Sequence, residues 1–148
     1  VFFTKTVLPT FLKQKSGRVV FVSSVAGLLG TQYRASYSAA KAAIHMWANS
    51  LRAEVSKDGV EVSVVFPGFV KTNVSFNALN GEGKPQGHQD EAIENGLDAD
   101  VFAQRVVEAL MAGEEYVVVG GKKEQLGVLV SRLSPSLLYK MIRKTKVK

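Results

Sequence analysis

Apolar side chains at Val1, Phe3, Val7, Leu8, Phe11 and Leu12 recur at helical spacing, which predicts a helix over residues 1–15. Pro9 is expected to kink it, and Ser16-Gly17 to end it. The following run, RVVFVSS (residues 18–24), is short and continuously apolar until its last two positions, the pattern of a buried strand. Gly27 and Gly30 mark a loop. From Tyr37 to Val55 a second helix is predicted: Ala40, Ile44, Trp47, Leu51 and Val55 lie three or four residues apart, the stripe of a helix packed on a sheet, with Ser36 as N-cap. Asp58-Gly59 makes a turn into VEVSVVF (residues 60–66), a second buried strand stopped by Pro67-Gly68.

Residues 73–97 are polar and glycine-rich with little periodicity and read as a long loop, a feature that in compact domains is more often functional than accidental. Asp98 or Asp100 caps a helix running through Ala112 and ended by Gly113. YVVVGG (residues 116–121) is a third strand, its Gly120-Gly121 pair a strand-end turn rather than a phosphate loop. Beyond it, Ser134-Pro135 divides an amphipathic tail into two helical stretches, with Pro135 at the start of the second. Helices alternating with strands in this order define an α/β domain with a parallel sheet.

Composition narrows the class. Of 148 residues, 46% are hydrophobic and 22% charged, which fits a globular domain and not a disordered or fibrous chain. With no cysteine, disulfide scaffolds, thiolate zinc sites and thiol nucleophiles are excluded, and two distant histidines, His45 and His88, make no metal site. The net charge of +6 would point to nucleic acid if it were spread over the chain. It is not: residues 122–148 carry eight Lys or Arg against one acid, Glu124, so the body is nearly neutral and no nucleic-acid partner is expected. The chain opens inside an apolar segment without Met, and the expectation is that it is part of a longer protein.

The candidate chemistry starts at Tyr37 and Lys41 in the string YSAAK. Four residues apart on a helix, they share one face, about 40° apart around the axis. An ammonium beside a phenol stabilises the phenolate, which is what a tyrosine needs to exchange a proton with an alcohol or carbonyl oxygen. Alone, the pair is outweighed by the plain reading of two polar residues bordering an apolar stripe. The balance changes with Ser23-Ser24, at the carboxyl end of a buried parallel strand, and with PGFVKT (residues 67–72) at the end of the next. Open α/β sheets bind ligands at that edge. His45 reads as a packing or surface residue rather than a base, Trp47 as part of the apolar stripe, and the Asn73-Val74-Ser75 sequon as idle.

Taken together and in order, the strand end SSVAG, the YSAAK helix and the PGFVKT turn resemble the short-chain dehydrogenases/reductases, over residues 1–121, with Ser24 thirteen residues before Tyr37 as is usual there. The resemblance implies a Rossmann-like doubly wound parallel sheet, of which this chain holds the C-terminal portion. The family's Gly-rich dinucleotide turn and its relay Asn belong before Val1 and do not occur in this sequence. It further implies hydride transfer between NAD or NADP and a carbonyl or secondary alcohol. Ser24 would hold the substrate oxygen, Tyr37 would exchange the proton, Lys41 would bond the nicotinamide ribose, and Ser23 would be structural. Pro67, Gly68, Val70 and Thr72 would line the nicotinamide end, beside Tyr37 and Lys41. The 73–97 loop would cover the substrate, and the Tyr37 helix would form a homodimer or homotetramer face.

Two rival readings stand beside this one: a non-catalytic relative acting through its dimerising helix, and a membrane-surface protein whose tail is the main element. In the tail, Leu126, Leu129, Leu133, Leu137 and Leu138 interleave with Arg132, Lys140, Arg143, Lys144 and Lys146. This pattern fits a helix pair docked on the body or on a partner subunit, the weightier expectation. It also fits an amphipathic element with a cationic rim on an anionic bilayer. The implied location is cytoplasmic, with that peripheral membrane contact left open.

Overall fold

A computed structural model of the chain describes residues 1–144; the last residues of the predicted basic tail, Lys146 among them, lie outside the described residues. The order of elements is α1 (Phe2–Gln14), β1 (Gly17–Val22), a single 3-10 turn (Val25–Gly27), α2 (Ala35–Glu54), β2 (Val60–Pro67), a short α3 (Glu91–Glu94), α4 (Ala99–Met111), β3 (Tyr116–Val119), α5 (Lys122–Leu133) and α6 (Pro135–Lys144). The strands form one parallel sheet in the order β1-β2-β3, with Val22 opposite Val65 and Pro67 opposite Val119. A parallel sheet of consecutive strands with helical crossovers is the α/β arrangement expected from the sequence.

Helices cover both faces of the sheet. Alternation along β2 sends Val60, Val62, Val64 and Phe66 to one side, where they pack with Ala48, Leu51 and Val55 of α2, Val128 of α5 and, from α1, Leu8, Phe11 and Leu12. Val65 points the other way, joining Val117 and Val119 against Phe102, Val106, Ala109 and Leu110 of α4. Burial on both faces explains why β2 reads as a nearly continuous apolar run. Of its two polar residues, Glu61 is exposed, while Ser63 is buried and donates to Glu114 O at 3.0 Å.

The structure amends several expectations. α1 runs unbroken through Pro9, and its apolar stripe packs only from Val7 onward, with Val1, Phe2 and Phe3 exposed. β1 is not buried throughout. Among the described residues it pairs only with β2, and Val20 and Val22 stay exposed on it. Within α2, Ala40 is exposed while Ala48 is fully buried, because the line facing the sheet runs through Ala48, Leu51 and Val55. Ser36 does not cap α2: the helix starts two residues earlier, at Ala35, with Arg34 in the N-cap position and its carbonyl taking the first helical bond from Ser38 N. At α4 the cap is Asp98, whose carboxylate accepts from Asp100 N at 2.9 Å and Val101 N at 3.3 Å. The predicted division of the tail at Ser134-Pro135 is observed.

Candidate active site

The carboxyl ends of β1 and β2 place the candidate residues. β1 ends at Val22, so Ser23 and Ser24 lie just beyond it. Ser23 is buried; its amide donates to Val65 O at 2.8 Å and its hydroxyl to Lys41 O at 2.8 Å. A buried hydroxyl with a helix-backbone partner is a structural tie, here between the strand end and α2. Ser24 caps the 3-10 turn: its Oγ accepts from Ala26 N at 3.1 Å and donates to Pro67 O at 3.4 Å. The second contact is long, so the Ser24 hydroxyl remains available to a better acceptor. Through it the β1 and β2 ends meet.

On α2, Tyr37 is exposed and Lys41 half-buried, and the Lys41 ammonium sits 5.8 Å from the centre of the Tyr37 ring. Lys41 Nζ donates to Val22 O at 3.1 Å, which turns the side chain toward the strand end and leaves two further N–H donors. The ammonium, the phenol and the Ser24 turn are thus held around one strand terminus. What sets this spacing was not read from the sequence. Gly27, taken there as a loop marker, lies against α2: a Cβ on it would stand 2.9 Å from the Lys41 carbonyl carbon and 3.0 Å from Ala42 N. The helix approaches the SSVAG turn this closely because position 27 has no side chain.

The β2 end continues the site. Gly68 N donates to Val119 O at 2.8 Å, and a Cβ at Gly68 would be 3.0 Å from Gly120 Cα, so the two strand ends close glycine on glycine. The Glu124 carboxylate accepts from Phe69 N at 3.4 Å and ties the turn to α5. Val70 bridges Leu97, which closes the base of the long 73–97 loop. That loop is ordered internally by Ser75, whose buried hydroxyl donates to Gln89 Oε1 at 2.7 Å and accepts from Asp90 N at 3.1 Å, and it contains the short α3. Arg34, just ahead of the Tyr37 helix, pairs with Asp90 of the same loop at 3.5 Å. Thr72 lies farther out, in an open cleft of about 480 Å³ lined also by Lys71, Asn73, Gln89, Asp98 and Asp100. The loop therefore reaches the helix that carries Tyr37, and Thr72 stands at the loop's root.

His45, one turn after Lys41, is half-buried and packs edge-on against Phe66 and Tyr116 at centroid distances of 5.0 and 5.7 Å. Asn49 Nδ2 donates to its Nε2 at 3.1 Å, while Asn49 Oδ1 is occupied by Arg52. Burial, then the nearby Arg52 and Arg132 charges, lower its pKa, so the ring is held neutral. Of the packing and surface roles the sequence left open for it, the ring contacts favour packing.

A three-stranded parallel sheet with helices on both faces, and with a Ser, a Tyr and a Lys near one strand terminus, defines the class: a partial Rossmann-like α/β domain of the kind that binds small ligands at the carboxyl edge of its sheet. The short chain dehydrogenase family model matches residues 1–82, and the chain belongs to that family. It is 37% identical over 145 residues to a Drosophila melanogaster dehydrogenase/reductase SDR family protein 7-like, and 35% identical over 150 residues to Xenopus laevis dehydrogenase/reductase SDR family member 7B. Each alignment covers 98% of this chain but only 44% and 46% of the relative, so the chain spans about half the length of these curated relatives. Among solved structures, a short-chain dehydrogenase from Streptomyces avermitilis is similar with a TM-score of 0.69 and 28% identity, over 97% of this chain and 57% of that one. A Burkholderia cenocepacia short-chain dehydrogenase in complex with NADP shares the fold with a TM-score of 0.75 at 22% identity, over 97% of this chain and 53% of that one.

Proposed function

We propose that the protein to which this chain belongs is an NAD(P)-dependent oxidoreductase acting on a carbonyl or secondary alcohol, with Ser24, Tyr37 and Lys41 as its catalytic set. The observation that carries the reading is that the Lys41 ammonium, bonded to Val22 O at the β1 end, stands 5.8 Å from the centre of the Tyr37 ring, with Ser24 two residues beyond that strand end. The donor set fits a nicotinamide nucleoside: Lys41 has spent one N–H on Val22 O and has two left for a ribose diol, 5.8 Å from the centre of the Tyr37 ring. Pro67, Gly68, Val70 and Thr72 would line the nicotinamide end, at the carboxyl end of β2. Bound there, the nicotinamide supplies or accepts the hydride at its C4.

The chain's own residues handle the oxygen. Ser24 donates a hydrogen bond to the substrate oxygen, exchanging its long contact with Pro67 O for a shorter one. Tyr37 passes its phenolic proton to that oxygen during reduction, or removes it during oxidation. Lys41 favours the phenolate form of Tyr37 by its charge and orients the ribose. The 73–97 loop, tethered by Arg34–Asp90, covers the substrate. The outward side of α2, with Ala39, Ala43 and Met46 exposed, offers the subunit contact of a homodimer or homotetramer.

The reading is tested in the full-length protein by following reduced nicotinamide consumption with a panel of aliphatic and aromatic ketones and aldehydes. Tyr37→Phe is expected to lower kcat by about 10²-fold or more with cofactor affinity nearly unchanged, because proton transfer alone is removed. Lys41→Ala is expected to weaken both. Near-normal turnover by Tyr37→Phe on any accepted carbonyl would overturn the assignment.

A further inference from the structure

The tail docks on the body, and it does so with one side only. Along α5, Gly127 and Val128 are buried; a Cβ at Gly127 would stand 2.9 Å from Leu29 Cδ1, and Val128 enters the core. Glu124 reaches Phe69 N, and the Arg132 guanidinium lies 4.3 Å from the centre of the Tyr116 ring. On α6, Leu138 is buried and Ile142 half-buried, and Gln32 donates to Ile142 O at 3.5 Å. These contacts use up the body-facing side of both helices.

The opposite side of α5 is a leucine stripe. Leu126, Leu129 and Leu133 fall within about 60° of one another around the axis, with Lys122 on the same line. They are 54%, 53% and 76% exposed. On α6 the side turned away from Leu138 carries Lys140, Arg143 and Lys144, flanked by the exposed Leu137 and Tyr139. None of Lys122, Lys123, Lys140, Arg143 and Lys144 has an acidic partner among the described residues. Glu124, the only acid of the tail, is turned to the body.

We infer that the outward face of the α5–α6 pair is a docking surface for an anionic lipid bilayer. The leucines of α5 would enter the headgroup boundary, and the cations around them would meet lipid phosphates and carboxylates. Charge chooses this occupant. A second copy docked through the same face would bring uncompensated Lys and Arg clusters together, whereas an anionic surface satisfies them while it buries the stripe. No described helix is long and apolar enough to cross a membrane, so the contact is an interfacial one.

The test uses the full-length protein with vesicles of phosphatidylcholine, with or without phosphatidylserine, at low and high salt. Lys122→Gln/Lys123→Gln is expected to lower partitioning onto the anionic vesicles roughly 10- to 30-fold at low salt, at the usual worth of a basic residue near a charged surface. Leu126→Ser/Leu129→Ser/Leu133→Ser should reduce it at either salt concentration, and Lys13→Gln/Lys57→Gln, which removes equal charge elsewhere, should leave it within about twofold. A local readout separates this face from any other anchor: a polarity-sensitive dye on Leu129→Cys should shift to the blue on anionic vesicles, and less so as salt rises. An unmoved dye, equal losses in the Lys13/Lys57 control, or a leucine variant that changes only self-association would overturn the inference.

Discussion

Gly27→Ala tests the least conspicuous element of the site. Gly27 sits in a 3-10 turn without a positive φ, so alanine suits the backbone and the substitution isolates one contact. The added methyl would stand 2.9 Å from the Lys41 carbonyl carbon and from Lys41 Cβ, and 3.0 Å from Ala42 N. Two of these three atoms are helix backbone, which cannot rotate away, so α2 or the SSVAG turn must move by several tenths of an ångström. Overpacking of this kind costs about 1–3 kcal/mol, a few degrees in Tm. The larger effect is expected on rate. Displacing Lys41 and Tyr37 relative to Ser24 would disturb the geometry proposed for proton exchange, and misplacement approaching 1 Å costs about 10²-fold. Gly30→Ala is the control, since a Cβ there meets nothing within 4 Å. Thermal melts and steady-state kinetics of the two full-length variants decide the matter. A Gly27→Ala protein with the Tm and kcat of Gly30→Ala would show that close approach does not set the site.

Three further outcomes follow from other contacts. Ser23→Ala removes a buried hydroxyl from Lys41 O and should cost about 1 kcal/mol in denaturant unfolding with the m-value unchanged. Asp98→Ala deletes both α4 cap bonds and should lower stability by about 1 kcal/mol, visible as faster amide exchange in the first turn of α4. His45 has a lowered pKa in the folded chain, so the unfolded chain binds its proton first as pH falls. Its contribution is complete above its ordinary value of 6.5 and is lost below it, down to the folded pKa. His45→Gln should therefore flatten the loss of stability in that window, and an unaltered pH profile would refute the neutral-ring assignment.

The α/β class, the three strands and the longer helices were legible in the sequence because each rests on local periodicity and turn chemistry, whereas the start of α2 at Ala35 and the short α3 were not. So were the two tail helices, which Pro135 separates. The candidate catalytic residues were legible for a related reason: Tyr37 and Lys41 share a helix face by spacing alone, and Ser24 follows a strand end. Tertiary structure decided what depends on elements far apart in the chain. Gly27 reads as a loop glycine until α2 lies against it, and the Arg34–Asp90 tie joins residues whose local patterns are unrelated. Ala40 fitted the helical stripe as well as Ala48, but only the sheet's position selects which line of α2 is buried. β1 has the apolar run of an interior strand, yet its burial depends on which strands stand beside it, and periodicity within one strand carries no record of its neighbours. The tail shows the same division. Its sequence specified amphipathic helices with a cationic rim, whereas Leu29, Phe69 and Tyr116 of the body determined which side is consumed by docking and which side stays outward.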